Sequence, residues 1–182
     1  MKVTETFLKG CYVIEPKIFN DKRGYFFESF NKKEFEEKTG LKIDFIQDNE
    51  ALSNKGVLRG LHFQKGEFAQ SKLVRVIKGK IQDVVVDLRK ESETFGKYYS
   101  IILSEENKKQ LFIPKGFAHG YLVLEDETIF AYKCDSFYNP VSESGIYFND
   151  RQLDINWLLN EEELILSERD KNLAILNQNR VL

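Results

Sequence analysis

Proline, cysteine and histidine are all scarce in this chain, at three, two and two of 182 residues. Cys11 and Cys134 lie far apart and form no C-x-x-C pair, so neither a disulfide framework nor a thiolate metal cluster is expected. The opening MKVTETFLKG lacks the apolar core of a secretory signal, and a reducing, cytoplasmic setting is the expectation. No apolar run approaches the length needed to cross a bilayer. Neither sign of charge dominates: 27 basic and 29 acidic residues leave a net charge of −2, without the basic tail or stripe that a nucleic-acid binder uses to neutralise phosphates. His62 and His119 share neither an H-x-H nor an H-x-x-x-H pattern, so no metal is expected, and no other cofactor is expected either. P-loop, G-x-G-x-x-G and G-x-S-x-G motifs are missing too, which removes the usual supports of nucleotide hydrolysis, hydride transfer and serine esterase chemistry.

What is present is a β-rich pattern in a chain of one domain's length, 1–182, with no linker or repeat to divide it. From Val57 onward, runs rich in β-branched and aromatic residues recur between turn formers: VLRGLHF, KLVRVI, IQDVVVDL, YYSIIL, QLFI, GYLVLE and TIFAYKC. They read as a strand meander, with Lys78-Gly79-Lys80 as a tight hairpin between two of them. Within IQDVVVDL, alternation puts Ile81, Asp83, Val85 and Asp87 on one face and Gln82, Val84, Val86 and Leu88 on the other. Helix is expected at Asn31 to Lys38, with Asn31 as cap, Glu34 completing a capping box and Gly40 as stop, and again near Glu161 to Leu166. Many short strands flanked by a little helix give a mainly β sandwich, barrel or jelly roll, with a ligand between its sheets.

The residues that suit chemistry cluster around GVLRGLHFQ, where Arg59 and Gly60 precede His62 and Lys72 follows on the next run. A cation-rich pair of strands in a chain of nearly balanced charge predicts a local anion site. Arg59 and His62 are three apart and would face opposite ways in a regular strand. A bulge at Gly60 would bring both inside.

Eight ordered segments extend the reading over most of the chain: DKRGYFFESF (21–30), FIQDN (45–49), GVLRGLHFQ (56–64), AQSKLVRVIKGKIQDVVVDLR (69–89), SETFGKY (92–98), IPKGFAHGYLVLED (113–126), YKCDSFY (132–138) and LSERDK (166–171). In these segments the sequence resembles the dTDP-4-dehydrorhamnose 3,5-epimerase family. The resemblance implies a cupin-type jelly roll with a few short flanking helices, a homodimer, and no metal. It implies epimerisation at C3, C5 or both of a nucleotide-linked 4-keto-6-deoxy sugar, feeding cell-surface polysaccharide synthesis. A ketone at C4 acidifies the neighbouring C–H groups, so inversion needs a base on one face, a proton donor on the other and stabilisation of the enolate oxygen. By this resemblance His62 is the base, Asp170 orients it, Lys72 is the cation near the enolate and Tyr132 returns a proton. Arg23, Phe26, Glu28, Gln47, Asn49, Arg59, His119, Tyr138 and Lys171 match positions around the nucleotide and its pyrophosphate, with the Arg23 region reaching the neighbouring subunit's site. The residues alone leave Asp83 as a rival orienter of His62, and they allow ordinary roles: a helix cap for Asp170, a surface charge for Lys72 or Arg23, aromatic packing for Tyr132, Phe26 or Tyr138.

The sequence also departs from the family. Glu50 and Ala51 stand where small hydroxyl residues usually follow QDN, Ser144 replaces an arginine, and the KGEFAQ loop lacks the common prolines. These changes leave open whether the nucleotide is dTDP or GDP and the sugar a hexose or a heptose. A 3,4-ketoisomerase of the same substrates and a non-catalytic sugar-nucleotide binding protein are the alternative functions.

Overall fold

The computed structural model of the chain describes residues 1–176. In chain order its strands are β1 (Lys2–Glu5), β2 (Tyr12–Glu15), β3 (Phe19–Asp21), β4 (Gly24–Phe26), β5 (Gln47–Ser53), β6 (Leu58–Gln64), β7 (Lys72–Lys78), β8 (Lys80–Asp87), β9 (Tyr98–Ser104), β10 (Gln110–Ile113), β11 (Phe117–Val123), β12 (Thr128–Cys134) and β13 (Glu143–Gly145). Two helices accompany them, α1 (Lys32–Thr39) and α2 (Glu168–Lys171). A six-stranded sheet, ordered β1-β2-β10-β7-β12-β5, and a five-stranded sheet, ordered β13-β6-β11-β8-β9, share the central core; β3 and β4 form a separate ribbon. No helix among the described residues is long and apolar enough to cross a membrane.

All seven runs expected from Val57 onward are strands, yet they do not form a meander. From β6 to β12 the chain passes repeatedly between the two sheets, and only β8 and β9 pair with their immediate successor or predecessor. The expected hairpin at Gly79 is therefore a crossing turn. Lys78 is opposite Ile129 of β12, whereas Lys80 is opposite Ser104 of β9 in the other sheet. Local pattern identifies a strand but not its partner. What marks β8 as a central strand is burial on both faces: Ile81 and Val85 enter the core between the sheets, while Val84, Val86 and Leu88 pack beneath the C-terminal segment against Ile146, Leu153 and Leu176.

The first helix follows its expected signals. Asn31 accepts a hydrogen bond from the Glu34 amide at 3.2 Å, and Gly40 closes the helix in the left-handed region at φ 72°. The Glu34 carboxylate accepts from the N-terminal amine at 3.1 Å rather than from the cap backbone. Phe35 anchors this helix on the outer face of the six-stranded sheet, among Phe30, Phe45 and Phe112. The second expected helix, at Glu161 to Leu166, is reduced to a single 3-10 turn over Glu161–Glu163; the chain then extends and only afterwards forms α2.

One buried charge fixes the end of β8. Asp87 accepts from the Arg89 guanidinium at 2.8 and 2.7 Å and from the Ser92 and Thr94 hydroxyls, each at 2.6 Å. Burial alone would raise its pKa, but these donors outweigh it and hold the carboxyl down to about 2. The folded-state value is depressed, so the stabilisation is present above the ordinary aspartate range and is lost as pH falls through about 2. Asp87→Asn is expected to cost about 2 kcal/mol at neutral pH and to flatten the acid limb of a urea-midpoint-against-pH curve. An unchanged acid limb would contradict this assignment.

Candidate active site

The side chains named for chemistry meet between the sheets because of one irregularity in β6. His62 is opposite His119 of β11, while Arg59 is opposite Tyr121; three residues on β6 are matched by two on β11. The extra residue makes the expected bulge, and Gly60 holds it at φ 136°. No side chain fits at either glycine of the crossing: a methyl on Gly60 would overlap the Cα of the facing Gly120, and one on Gly120 would meet the Arg59 carbonyl oxygen at 2.8 Å. Arg59 and His62 thus both line a cavity of ≈550 Å³, together with Lys72, His119, Tyr121, Phe130, Tyr132 and Asp170. An adjoining space of ≈240 Å³ shares His62, Lys72 and Tyr132 and continues to Gln47, Asn49, Gln64, Tyr138 and Glu143.

His62 stands on the five-stranded sheet, whereas Lys72 and Tyr132 come from neighbouring strands of the six-stranded sheet. The cation-rich segments read from the sequence are thus opposing walls rather than paired strands. His62 Nε2 is 2.5 Å from Asp170 Oδ1. Asp170 arrives there because the C-terminal segment runs along the edge of β6, with the Leu58 amide donating to Ile165 O at 3.1 Å, before Ser167 caps α2 by accepting from the Asp170 amide at 3.1 Å. Burial would raise the Asp170 pKa, but its hydrogen bond and charge interaction with His62, aided by Ser167, bring it below the usual range. Asp83, the rival orienter, is instead paired with His119, at 2.9 Å.

On the other wall, the Lys72 amine lies 5.7 Å from the centre of the Tyr132 ring. Burial pushes the Lys72 pKa down against the raising influence of Cys134, Glu143 and Asp83. The Tyr132 phenol is pushed up by burial, and the opposing charge of Arg59 does not reverse this. For Tyr132 desolvation wins, and the phenol stays protonated. Arg59 donates through Nε and Nη2 to the Ser53 hydroxyl at 3.3 and 3.2 Å. Inward-facing residues of β5 supply the adjacent surface: Asn49 is opposite Tyr132, and Ala51 is opposite Phe130.

Polar residues bind the mouth together. Gln47 and Gln64 hold the loop after β12, accepting from the Tyr138 amide at 3.0 Å and the Asn139 amide at 2.6 Å. The Tyr138 hydroxyl and Arg169 Nη1 both donate to Glu143 Oε2, at 2.5 and 2.6 Å. Burial would raise the Glu143 pKa, but Arg169 and Tyr138 bring it below the usual range. Glu143 and Arg169 were not singled out from the sequence. Arg169 lay within the LSERDK segment beside Asp170, while the three-residue β13 is too short to be read from its pattern.

Four expected binding residues do not line this cavity. Lys171 is exposed and paired with Glu168 at 2.6 Å, because in so short a helix Asp170 takes the inward position; Arg169 is the cation at the mouth instead. Arg23 and Phe26 sit on the exposed β3–β4 ribbon, Arg23 paired with Asp21 at 2.5 Å. Glu28 is exposed and accepts from Asn31 at 3.2 Å. Among the described residues, no group of three His, Cys, Asp or Glu side chains converges on a point that could hold a metal ion.

Residues 5–178 match the family model described as dTDP-4-dehydrorhamnose 3,5-epimerase. An epimerase of that name from Methanothermobacter thermautotrophicus is 51% identical over 178 residues, covering 97% of this chain and 95% of its own. Among solved structures, dTDP-4-dehydrorhamnose 3,5-epimerase from Elizabethkingia anophelis NUHP1 superposes with a TM-score of 0.95 at 53% identity, covering 100% of this chain and 99% of that one. A dTDP-6-deoxy-D-glucose-3,5-epimerase from Legionella pneumophila Philadelphia 1, solved in complex with dTDP-4-keto-L-rhamnose, gives a TM-score of 0.93 at 47% identity over 99% of this chain and 94% of that one.

Proposed function

The chain belongs to the dTDP-4-dehydrorhamnose 3,5-epimerase family, an isomerase family of cupin-like fold, and from that premise we propose that its cavity epimerises a dTDP-linked 4-keto-6-deoxy sugar at C3 and C5 for cell-surface polysaccharide synthesis. The observation that carries this reading is the opposition of a His–Asp pair on one sheet to a lysine and a protonated phenol on the other.

Because Nε2 of His62 is engaged by Asp170, its free nitrogen is Nδ1, and this atom takes the proton from the carbon beside the ketone. The electron pair moves into an enolate whose oxygen is stabilised by Lys72, a site where little water screens the charge. Tyr132 then donates its phenolic proton to the carbon from the opposite wall, which inverts the centre. The buried phenol suits donation, since desolvation keeps it neutral until the carbanion forms. In this reading Arg59 and Arg169, both lining the cavity, hold the diphosphate, whose oxygens a guanidinium can grip in pairs. Tyr138 offers a ring for stacking at the mouth.

The working unit in this reading is a homodimer. Phe19, Tyr25 and Phe26 are all more than half exposed on the β3–β4 ribbon, an apolar surface that a second copy would cover. Arg23, Phe26 and Glu28 then complete the partner's cavity rather than their own.

The test is turnover of a panel of dTDP- and GDP-linked 4-keto hexoses and heptoses, followed by proton NMR of the sugar ring. Inversion of the dTDP-linked 6-deoxyhexose is expected; binding without conversion of any member would sink the reading. Within that assay Arg169→Ala is expected to raise KM about 10- to 100-fold, the worth of a charge-assisted hydrogen bond, while Lys171→Ala stays within roughly twofold. The reverse order would restore Lys171 to the site.

A further inference from the structure

The second His–Asp pair has no part in the proton transfer just described. His119 and His62 are direct cross-strand partners, so their side chains share one face of the five-stranded sheet and line the same cavity. Asp83, on β8, is opposite Tyr121 and reaches diagonally to His119, its Oδ2 lying 2.9 Å from Nε2. Asp83 is fully buried, and its other oxygen, Oδ1, has no hydrogen-bond partner among the described residues. Leaving a buried acceptor unmatched is unfavourable, and a fold keeps such a group only where something else needs it. His119 itself is walled by aromatic rings: Phe130 is stacked at 6.1 Å, and Tyr121 lies at 6.3 Å. With its plane fixed, the ring's remaining freedom is which nitrogen carries the proton.

We propose that Asp83 is a positioning residue: by accepting the Nε2 proton of His119 it leaves Nδ1 of that ring as a hydrogen-bond acceptor for a hydroxyl of the bound sugar, which orients the sugar over His62. This rests on the epimerase reading for the identity of the ligand, but the tautomer itself does not. The two histidines then present equivalent atoms side by side. Each has Nε2 held by a buried aspartate and Nδ1 free; one receives a proton from carbon, the other a hydrogen bond from oxygen.

The chain has two histidines, so a long-range proton–nitrogen spectrum of the whole protein contains two ring systems. In spectra taken at about pH 8, His119 is expected to carry a proton on Nε2 in the unaltered chain, where Asp83 accepts it. In Asp83→Asn a population with the proton on Nδ1 appears for His119 alone. KM for the dTDP-linked sugar then rises about tenfold with a smaller change in kcat, as for the loss of one neutral hydrogen bond. Because Asp83 acts through His119, the double variant Asp83→Asn/His119→Asn is expected to be no worse than His119→Asn. A proton on Nδ1 of His119 in the unaltered chain, or additive losses in the double variant, would overturn the proposal. Failure of the unaltered chain to convert any sugar would remove the epimerase reading, whereas the spectra, taken without substrate, still judge the pairing.

Discussion

His62→Gln is expected to lose proton exchange at both sugar carbons together, a drop on the order of 10²–10⁴ in the rate of deuterium entry, the contribution of a positioned general base. Glutamine is the informative choice because its side-chain amide can still donate to Asp170, so the carboxylate beneath is not left without a partner. Alanine would remove that donor and confound lost chemistry with a buried, unmatched charge. The His62 side chain is 27% exposed at the cavity wall and Asp170 is 5% exposed, so the aspartate is the member whose isolation the fold would feel. The glutamine variant should keep its thermal midpoint within a few degrees. Exchange retained at either carbon would remove His62 as the base for that carbon, and Lys72 would be the next candidate.

Asp170→Asn is the second large effect. An amide at this position preserves volume and one hydrogen bond but can present an N–H to His62 Nε2, forcing the ring proton onto Nδ1, the atom that must be free. The equivalent change in serine-protease triads drops kcat about 10⁴-fold for the same reason, and a loss of 10³–10⁴ is expected here. Substrate binding should change little, because Asp170 reaches the sugar only through His62. The variant also carries a stability signature. The folded-state pKa of Asp170 is depressed, so its stabilising contribution is present above the ordinary carboxylate range and declines as pH falls through the lowered value. Asp170→Asn should lose that portion of the acid dependence. A variant with normal turnover would show that the close contact in the structure has no role in setting the tautomer.

The parts of this account that could be read from the sequence are those encoded locally. Strands β6 to β12 announce themselves through β-branched runs, and α1 through Asn31 and Gly40. Strand β5, QDNEALS, is polar because its outward residues Asp48 and Glu50 are exposed while Asn49 and Ala51 face a cavity rather than a core, so the apolar alternation that marks a strand is absent. The three- and four-residue strands at the N-terminus are too short to carry a pattern. Sheet order was not legible at all: Gly79 allows a hairpin or a crossing turn equally well, and the choice depends on contacts with β9 and β12 that lie 24 and 51 residues away. At the site, the bulge at Gly60 followed from the need to turn Arg59 and His62 the same way. The pairing of Asp170 with His62 was implied only by the family resemblance, since it is set by the path of the C-terminal segment along β6, and the pairing of Asp83 with His119 was missed, since it is set by the diagonal from β8 to β11. Which of Lys171 and Arg169 faces the cavity was not legible for a similar reason, since one turn of helix offers no periodicity from which to tell the inward face.

Proton abstraction beside the ketone is the step on which every proposed role in the cavity depends. The unaltered protein, incubated in heavy water with dTDP-4-keto-6-deoxyglucose, should give a product whose mass spectrum and NMR spectrum place two deuterons in the sugar, one at C3 and one at C5. Conversion to the inverted sugar with no deuterium from solvent at either carbon would contradict it.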